Sequence, residues 1–173
     1  FLISILCNKI DINLSKKLDE TSGLEIIGNQ LITINDSGNN PILFYLDKNG
    51  NIAKERKIEC CKNNDWESLA IDDEFIYIAD FGNNYDTRKN LRIIIVPTNP
   101  KEDSNEIISL YYPEQEKFSF RKKSKYDAES LVCYDDYLLI FTKNRNEKLT
   151  EIYKVPKNKG ESVSYTHLRA HET

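Results

Sequence analysis

The chain has 173 residues, of which 39% are hydrophobic and 10% aromatic, enough apolar material for a packed core. Its 24 basic and 28 acidic side chains are mixed along the sequence, and the net charge of -4 argues against a dedicated nucleic-acid surface. No apolar run approaches the roughly 18 residues of a membrane-spanning helix. We therefore expect neither a nucleic-acid partner nor a membrane span.

The chain begins with an apolar run, FLISILC, that lacks the basic flank of an intact signal peptide. We interpret residues 1–9 as the remnant of a signal peptide, which predicts an extracytoplasmic protein that is secreted, periplasmic or surface-attached. A buried strand is the alternative. Cys7 follows the run as in a lipoprotein cleavage site, but Ile5 and Leu6 stand where small residues are expected.

Three segments with similar sequences begin at Glu20, Asp65 and Asp127 and open on ETSGLEI, DWESLAI and DAESLVC. In each, a short turn, an apolar run, a polar loop and another apolar run follow. The apolar runs are rich in Ile, Leu, Tyr and Phe and are bounded by Asn, Asp and Gly, which predicts strands rather than helices. The first two segments carry a further strand candidate, and Asn49-Gly50 suits a tight hairpin turn.

Four antiparallel strands in a repeat of about 40–50 residues are typical of β-propeller blades. We therefore predict an all-β fold in which residues 10–161 form a partial β-propeller of about three four-stranded antiparallel blades, starting near residues 20, 65 and 127. Because the chain contains no methionine, we expect a longer protein whose missing blades are its partners. A β-sandwich is the alternative, but it does not explain the repeated acidic opening.

The last stretch, residues 162–173 (SVSYTHLRAHET), differs in composition from the Lys-, Asn- and Ile-rich sequence before it. It resembles a peptide that arises when sequencing-adapter DNA is translated at the end of an assembled fragment. We therefore expect a non-native tail. His167 and His171 have the spacing of a metal-binding pair on a helix, but we favour the read-through interpretation.

The acidic residues that open the second and third repeats are the strongest candidates for a functional site. Side chains alternate along a strand, so Asp65 and Glu67 share one face, as do Asp127 and Glu129. If these first strands line the channel of a propeller, the four carboxylates converge and repel one another unless a proton or a cation intervenes. Hard oxygen ligands suit Ca²⁺ or Mg²⁺, and we predict a Ca²⁺ site at these four residues. The alternative is that the leading acids bind backbone N–H groups of the neighbouring blade.

Other polar and aromatic residues have a structural and a functional interpretation. Asp36 and Asp80 open the loops DSGNN and DFGNN, where acids typically cap their own turns. Trp66 is a candidate for ligand binding by stacking, with packing between blades as the alternative. Arg88 and Lys143 are candidates for binding an anionic ligand such as phosphate, although they could instead pair with the carboxylates.

The chain lacks the sequence patterns of covalent catalysis. No Gly-x-Ser-x-Gly occurs, and no histidine lies outside residues 162–173. Metal-assisted hydrolysis needs only carboxylates and a hard cation, so an enzymatic function stays open.

The three segments ETSGL…NDSGN, DWESLA…IADFGNN…R and DAESL…FTK…EIYKVP resemble a family of exported bacterial β-propellers over residues 10–156. That family is distantly similar to the calcium-dependent phytase-like propellers, the esterase-like propellers and the SdiA-regulated group. The resemblance implies a six-bladed propeller outside the cytoplasm. It implies little about function, because propellers host both binding modules and enzymes.

Two functions remain as expectations. The first is a binding or scaffold module, stabilised by calcium, with a site at the channel mouth for a small anionic molecule or a protein. The second is a metal-dependent hydrolase of phosphoesters or of esters and lactones. In the second, the four carboxylates hold the cation and Arg88 and Lys143 stabilise the anionic transition state.

Overall fold

Almost every regular element in the described part of the protein is a β-strand. The structure, a computed structural model, describes residues 12–102, 104–157, 163–164 and 166–168. A short 3-10 helix at Lys16–Leu18 precedes the first strand. Within the described part of the chain, no helix is long and apolar enough to cross a membrane.

Three antiparallel sheets follow one another along the chain, each with its strands in sequence order. The first sheet contains β1 (Thr21–Ile27), β2 (Gln30–Asn35), β3 (Ile42–Leu46) and β4 (Ile52–Lys57). The second contains β5 (Trp66–Ile71), β6 (Phe75–Asp80), β7 (Leu91–Pro97) and β8 (Glu106–Tyr111). The third contains β9 (Ala128–Tyr134), β10 (Tyr137–Thr142) and β11 (Ile152–Pro156). The prediction of an all-β chain is confirmed, with sheets of four, four and three strands, while the propeller stays a prediction.

Two short strands near the end of the chain join these sheets through their backbones. β12 (Val163–Ser164) pairs parallel to β8, and β13 (Thr166–Leu168) pairs antiparallel to β11. Both fall within the predicted non-native tail, whose other residues lie outside the described part. The predicted signal-peptide remnant, residues 1–9, also lies outside it.

The β3–β4 connection is the hairpin that the Asn-Gly pair predicts. Gly50 adopts a φ of 80°, in the region that favours glycine, and its N–H donates to the Asp47 carbonyl at 3.0 Å. The Asp47 carboxylate accepts from the N–H groups of Asn49 and Asn51 at 2.8 and 2.9 Å. These local bonds fix the turn, and with it the register of β3 against β4.

The second sheet is buried on both faces because it lies between the other two. Ile76 and Ile78 on β6 pack into the core shared with the first sheet, whereas Tyr77 and Ala79 pack into the core shared with the third. Alternate side chains of a strand point to opposite faces, so a strand covered on both sides carries apolar residues at successive positions. This explains the unbroken apolar runs of β6 and β7.

The first strands of the three sheets lie side by side, with β5 between β1 and β9. The Ser22 hydroxyl on β1 donates to the Trp66 carbonyl at 2.6 Å, and the Leu131 N–H on β9 donates to the Ser68 hydroxyl at 3.1 Å. Because these strands run side by side, the acidic openings of β5 and β9 lie at the same end of the stack.

The two outermost faces of the stack expose apolar side chains. On β1 these are Leu24 and Ile26, and on β9 they are Val132 and Tyr134. No described residue covers them, although the equivalent positions of the middle sheet are packed on both sides. The stack therefore presents a sheet face at each end that resembles its internal interfaces.

Candidate metal centre

Three carboxylates converge where β5 begins. Asp36, from the loop after β2, and Asp65 and Glu67, from the start of β5, each place one oxygen within 4.8 Å of the others. We call these three residues the acidic cluster. Calcium binds oxygens at 2.3–2.6 Å, so two ligands of one ion lie at most about 5 Å apart. The spacing of the cluster therefore fits a single hard cation.

Burial and mutual repulsion shift the ionisation of the cluster. Burial, together with the nearby charges of Asp36, Asp65, Glu129 and Asp127, raises the pKa of Glu67 to about 8. At neutral pH and without a cation, Glu67 therefore carries a proton. A bound cation would displace that proton.

Asp65 is shifted less than Glu67. Burial raises the pKa of Asp65 to about 6, while the positive charge of Arg88 and a hydrogen bond from Ser37 oppose the increase. The Arg88 guanidinium lies 4.0 Å from the Asp65 carboxylate. Among the described residues, none donates a hydrogen bond to the Glu67 carboxyl group, so this side chain is the least satisfied member of the cluster.

Gly82, in the loop after β6, packs directly against two carboxylates of the acidic cluster. A Cβ atom at this position would meet carboxylate oxygens of Asp65 and Glu67, the latter at 2.5 Å. The residue must therefore be glycine for the two carboxylates to keep their positions. The sequence places Gly82 in a turn motif, and only the structure relates it to the acids.

The other predicted metal ligands, Asp127 and Glu129, lie next to the cluster but have protein partners. The buried Asp127 carboxylate accepts from the Asn83 N–H at 2.9 Å and from Arg145 at 2.8 Å. Glu129 accepts from Arg145 at 3.2 Å and from Lys143 at 3.1 Å. Asp127 thus accepts a hydrogen bond from the backbone of the neighbouring sheet, which was the alternative to metal binding for these acids.

The predicted ligand-binding cations are likewise paired. Arg88 donates to the buried Asp80 carboxylate and to the Gly82 carbonyl, both at 2.8 Å. Lys143 is exposed and holds Glu129 at 3.1 Å. Both therefore pair with carboxylates, which was the alternative to binding an anionic ligand. Of the two, Arg88 is the one that adjoins the acidic cluster.

Trp66 is fully buried in the core between the first and second sheets, where it packs with Ile32, Ile34 and Leu43. This position agrees with the packing interpretation, with the ring between two sheets. It leaves no ring surface for a ligand.

Asp36 and Asp80 occupy equivalent loop positions but have different environments. The Asp36 carboxylate accepts from the N–H of Ser37, the turn cap that the sequence predicts. Asp80 instead binds Arg88 and Arg92, each at 2.8 Å, and the Asp65 N–H at 3.1 Å. For Asp80 the predicted turn cap is thus replaced by an arginine-bound carboxylate.

The sequence carries a signal that could have revealed Asp36 as a cluster member. The second repeat supplies Arg88 and Arg92 after Asp80, whereas no basic residue stands between Asp36 and Lys48. An acid with no basic residue in the loop and strand that follow it is free to share a cation with neighbouring acids. The sequence itself matches no protein-family model and no curated protein.

Proposed function

We propose that the chain is part of an extracytoplasmic β-propeller that binds a divalent cation at the acidic cluster and serves as a binding or scaffold module. The observation that carries the proposal is the convergence of Asp36, Asp65 and Glu67 within 4.8 Å, with no cationic side chain among the described residues bonded to Glu67. Like charges this close favour a cation or a proton between them.

The arrangement of the sheets supports the propeller. Successive antiparallel sheets pack face to face with their first strands adjacent, and an apolar face lies open at each end of the stack. Further sheets of the same kind would cover these faces, as repeat architectures require. Six blades, the number that the family resemblance implies, would add about as many sheets as the chain contains.

Calcium is the cation that we expect. The cluster offers only carboxylate oxygens, which hard cations prefer, and calcium tolerates irregular geometry better than magnesium does. Three protein side chains leave coordination positions for water or for a ligand. Such open sites suit the affinities of about 10⁻⁴–10⁻³ M found in extracellular modules. A carboxylate or phosphate of a small anion or a protein partner could complete the coordination.

Calorimetric titration of the full chain with Ca²⁺ and Mg²⁺ tests this proposal. We expect Ca²⁺ binding and a higher melting temperature in Ca²⁺ than in EDTA, since a cation that binds only the native state stabilises it. Asp36→Asn should abolish both effects. Glu147→Gln, at an exposed acid outside the cluster, is the matched control and should preserve them. Unchanged Ca²⁺ affinity in Asp36→Asn would overturn the assignment.

A metal-dependent hydrolase is the second candidate. The observation that favours it is Arg88, whose guanidinium lies 4.0 Å from Asp65 and could meet an anionic substrate beside the cation. Turnover of phytate or aryl esters, measured with Ca²⁺ and with EDTA, separates the two functions. Cation-dependent turnover that Asp36→Asn abolishes would support the hydrolase, whereas Ca²⁺ binding without turnover supports the binding module.

A further inference from the structure

A basic segment interrupts this acidic protein between β8 and β9. Residues 116–123, EKFSFRKK, are all exposed, and we call them the basic loop. Four cations share it with a single acid, Glu116, although the whole chain has a net charge of -4. The four are Lys117, Arg121, Lys122 and Lys123. The loop is therefore a local patch of the opposite sign.

The basic loop is held at both ends by buried residues. On its N-terminal side, the Gln115 amide donates to the Asp86 carbonyl at 3.0 Å. On its C-terminal side, the Ser124 hydroxyl donates to the Asp86 carboxylate and lies 3.0 Å from the Asn83 carbonyl oxygen. Within the loop, the Arg121 N–H donates to the Tyr85 carbonyl at 3.0 Å. These bonds present the loop in one orientation, so little ordering is needed when a partner binds.

Three aromatic side chains project at this loop. The exposed fractions are 39% for Phe118, 69% for Phe120 and 52% for Tyr85. The Phe120 and Tyr85 rings stack with centroids 4.8 Å apart. Exposed aromatic rings beside lysine and arginine are the composition that interfacial membrane-binding segments use.

We propose that the basic loop docks this protein on a membrane surface rich in anionic lipids. Lys122 and Lys123 lie among the anionic headgroups, and Phe118 and Phe120 enter the boundary between headgroups and acyl chains. Each basic side chain near such a surface contributes through its attraction to anionic lipid, and the apolar rings contribute by leaving water. The proposal is independent of the cation site and requires no membrane-spanning element.

The ring contacts favour lipid over single-stranded nucleic acid. Base binding uses the open faces of aromatic rings. Here Lys89 lies over the Phe118 ring, 5.1 Å from its centroid, and Tyr85 covers one face of Phe120. Insertion into lipid needs only exposed hydrocarbon, which both phenylalanines retain. The ring geometry thus fits the membrane surface better.

Sedimentation of the full chain with vesicles tests the proposal. Binding is expected to vesicles of phosphatidylcholine that contain about 30% anionic phosphatidylserine. No binding is expected to vesicles of phosphatidylcholine alone. The variant Lys122→Gln/Lys123→Gln should bind about 30-fold more weakly, because each cation near the surface contributes about fivefold. Lys48→Gln/Lys101→Gln, with the same charge change at exposed lysines of two other turns, is the control.

A second measurement reports on the aromatic rings. Phe120→Trp should show a blue-shifted emission with anionic vesicles, against the constant background of the buried Trp66. Phe118→Ser/Phe120→Ser should lose vesicle binding while it keeps the circular dichroism spectrum of the parent. Equal binding of the two lysine variants would overturn the proposal, as would an unshifted emission. Loop-dependent binding to a single-stranded oligonucleotide or to polyglutamate, without vesicle binding, would also overturn it.

Discussion

The backbone N–H of Asn83 donates a 2.9 Å hydrogen bond to the buried carboxylate of Asp127. This contact joins the loop after β6 to the start of β9, and so joins the second sheet to the third. Arg145 neutralises the same carboxylate at 2.8 Å. The acidic opening of the third repeat therefore acts as a link between sheets, in contrast to that of the second repeat, which takes part in the acidic cluster.

The Asp127 link should be important for stability. Asp127→Ala leaves the Asn83 N–H unsatisfied in a buried environment and removes one of the two carboxylates that Arg145 binds. We expect the free energy of unfolding, measured in urea, to fall by about 2–3 kcal/mol. Glu129→Ala removes only partly exposed ion pairs to Arg145 and Lys143, and it should cost less than about 1 kcal/mol. Equal losses in the two variants would contradict this role.

A larger effect is expected at Asp80, which is fully buried between two arginines. Asp80→Ala leaves Arg88 and Arg92 without their shared counter-ion, and loss of one member of a buried ion pair costs about 3–5 kcal/mol. The change is measured as the urea midpoint at constant m-value.

Asp36→Ala is the matched control for Asp80, because it truncates the acid at the equivalent loop position. Within the described ranges, Asp36 has no arginine partner, and it repels two nearby carboxylates. In EDTA its loss should therefore change the stability by less than about 1 kcal/mol. A small effect of Asp80→Ala would show that water replaces the Asp80 carboxylate as the hydrogen-bond partner of the two arginines.

Most of the fold was predictable because the strand signals are local. Apolar runs bounded by Asn, Asp and Gly gave the strands, and Asn49-Gly50 gave one hairpin. The burial of both faces of the second sheet was not predicted, although the continuous apolar runs of β6 and β7 are typical of it. Leu24 and Ile26 on β1 are exposed, and no local signal in the sequence predicts which face of this strand packs against the second sheet.

The site was less predictable because it depends on contacts between repeats. Asp65 and Glu67 were identified from their alternation on β5, and the structure adds Asp36 from a different sheet. The repeat symmetry suggested that Asp127 and Glu129 would act in the same way. Arg145, which stands in a loop of the third repeat, pairs with both acids and breaks that symmetry. Such a pairing across loops has no fixed spacing in sequence.

The cluster predicts a dependence of stability on pH. Burial raises the pKa of Glu67 from 4.5 to about 8 and that of Asp65 from 3.8 to about 6. Between these limits the native state binds more protons than the unfolded state, so stability in EDTA should fall as the pH rises from about 4 to 8. Because both side chains are partly exposed, we expect a loss of about 1–2 kcal/mol rather than the full value of the shifts.

Thermal unfolding at pH 5.5 and pH 8 measures this loss. Glu67→Gln mimics the protonated acid and should remove most of the dependence. Saturating Ca²⁺ should restore stability at pH 8 in the parent protein but not in Glu67→Gln. Glu147→Gln serves as the control and should keep the full dependence. A stability that rises with pH in EDTA would contradict the raised pKa of Glu67.

Gly82 provides a way to damage the cluster without changing any carboxylate. In Gly82→Ala the new methyl group meets the oxygens of Asp65 and Glu67, so at least one of them must move. We expect the Ca²⁺ affinity, measured by calorimetry, to fall at least about tenfold, since an ion site depends on the positions of all its ligands. Gly28→Ala is the control, because Gly28 has a φ of 57° and no atom near its Cβ position. That control should lose about 1 kcal/mol of stability and keep its Ca²⁺ affinity. If Gly82→Ala binds Ca²⁺ as the parent does, the cation does not lie between Asp65 and Glu67.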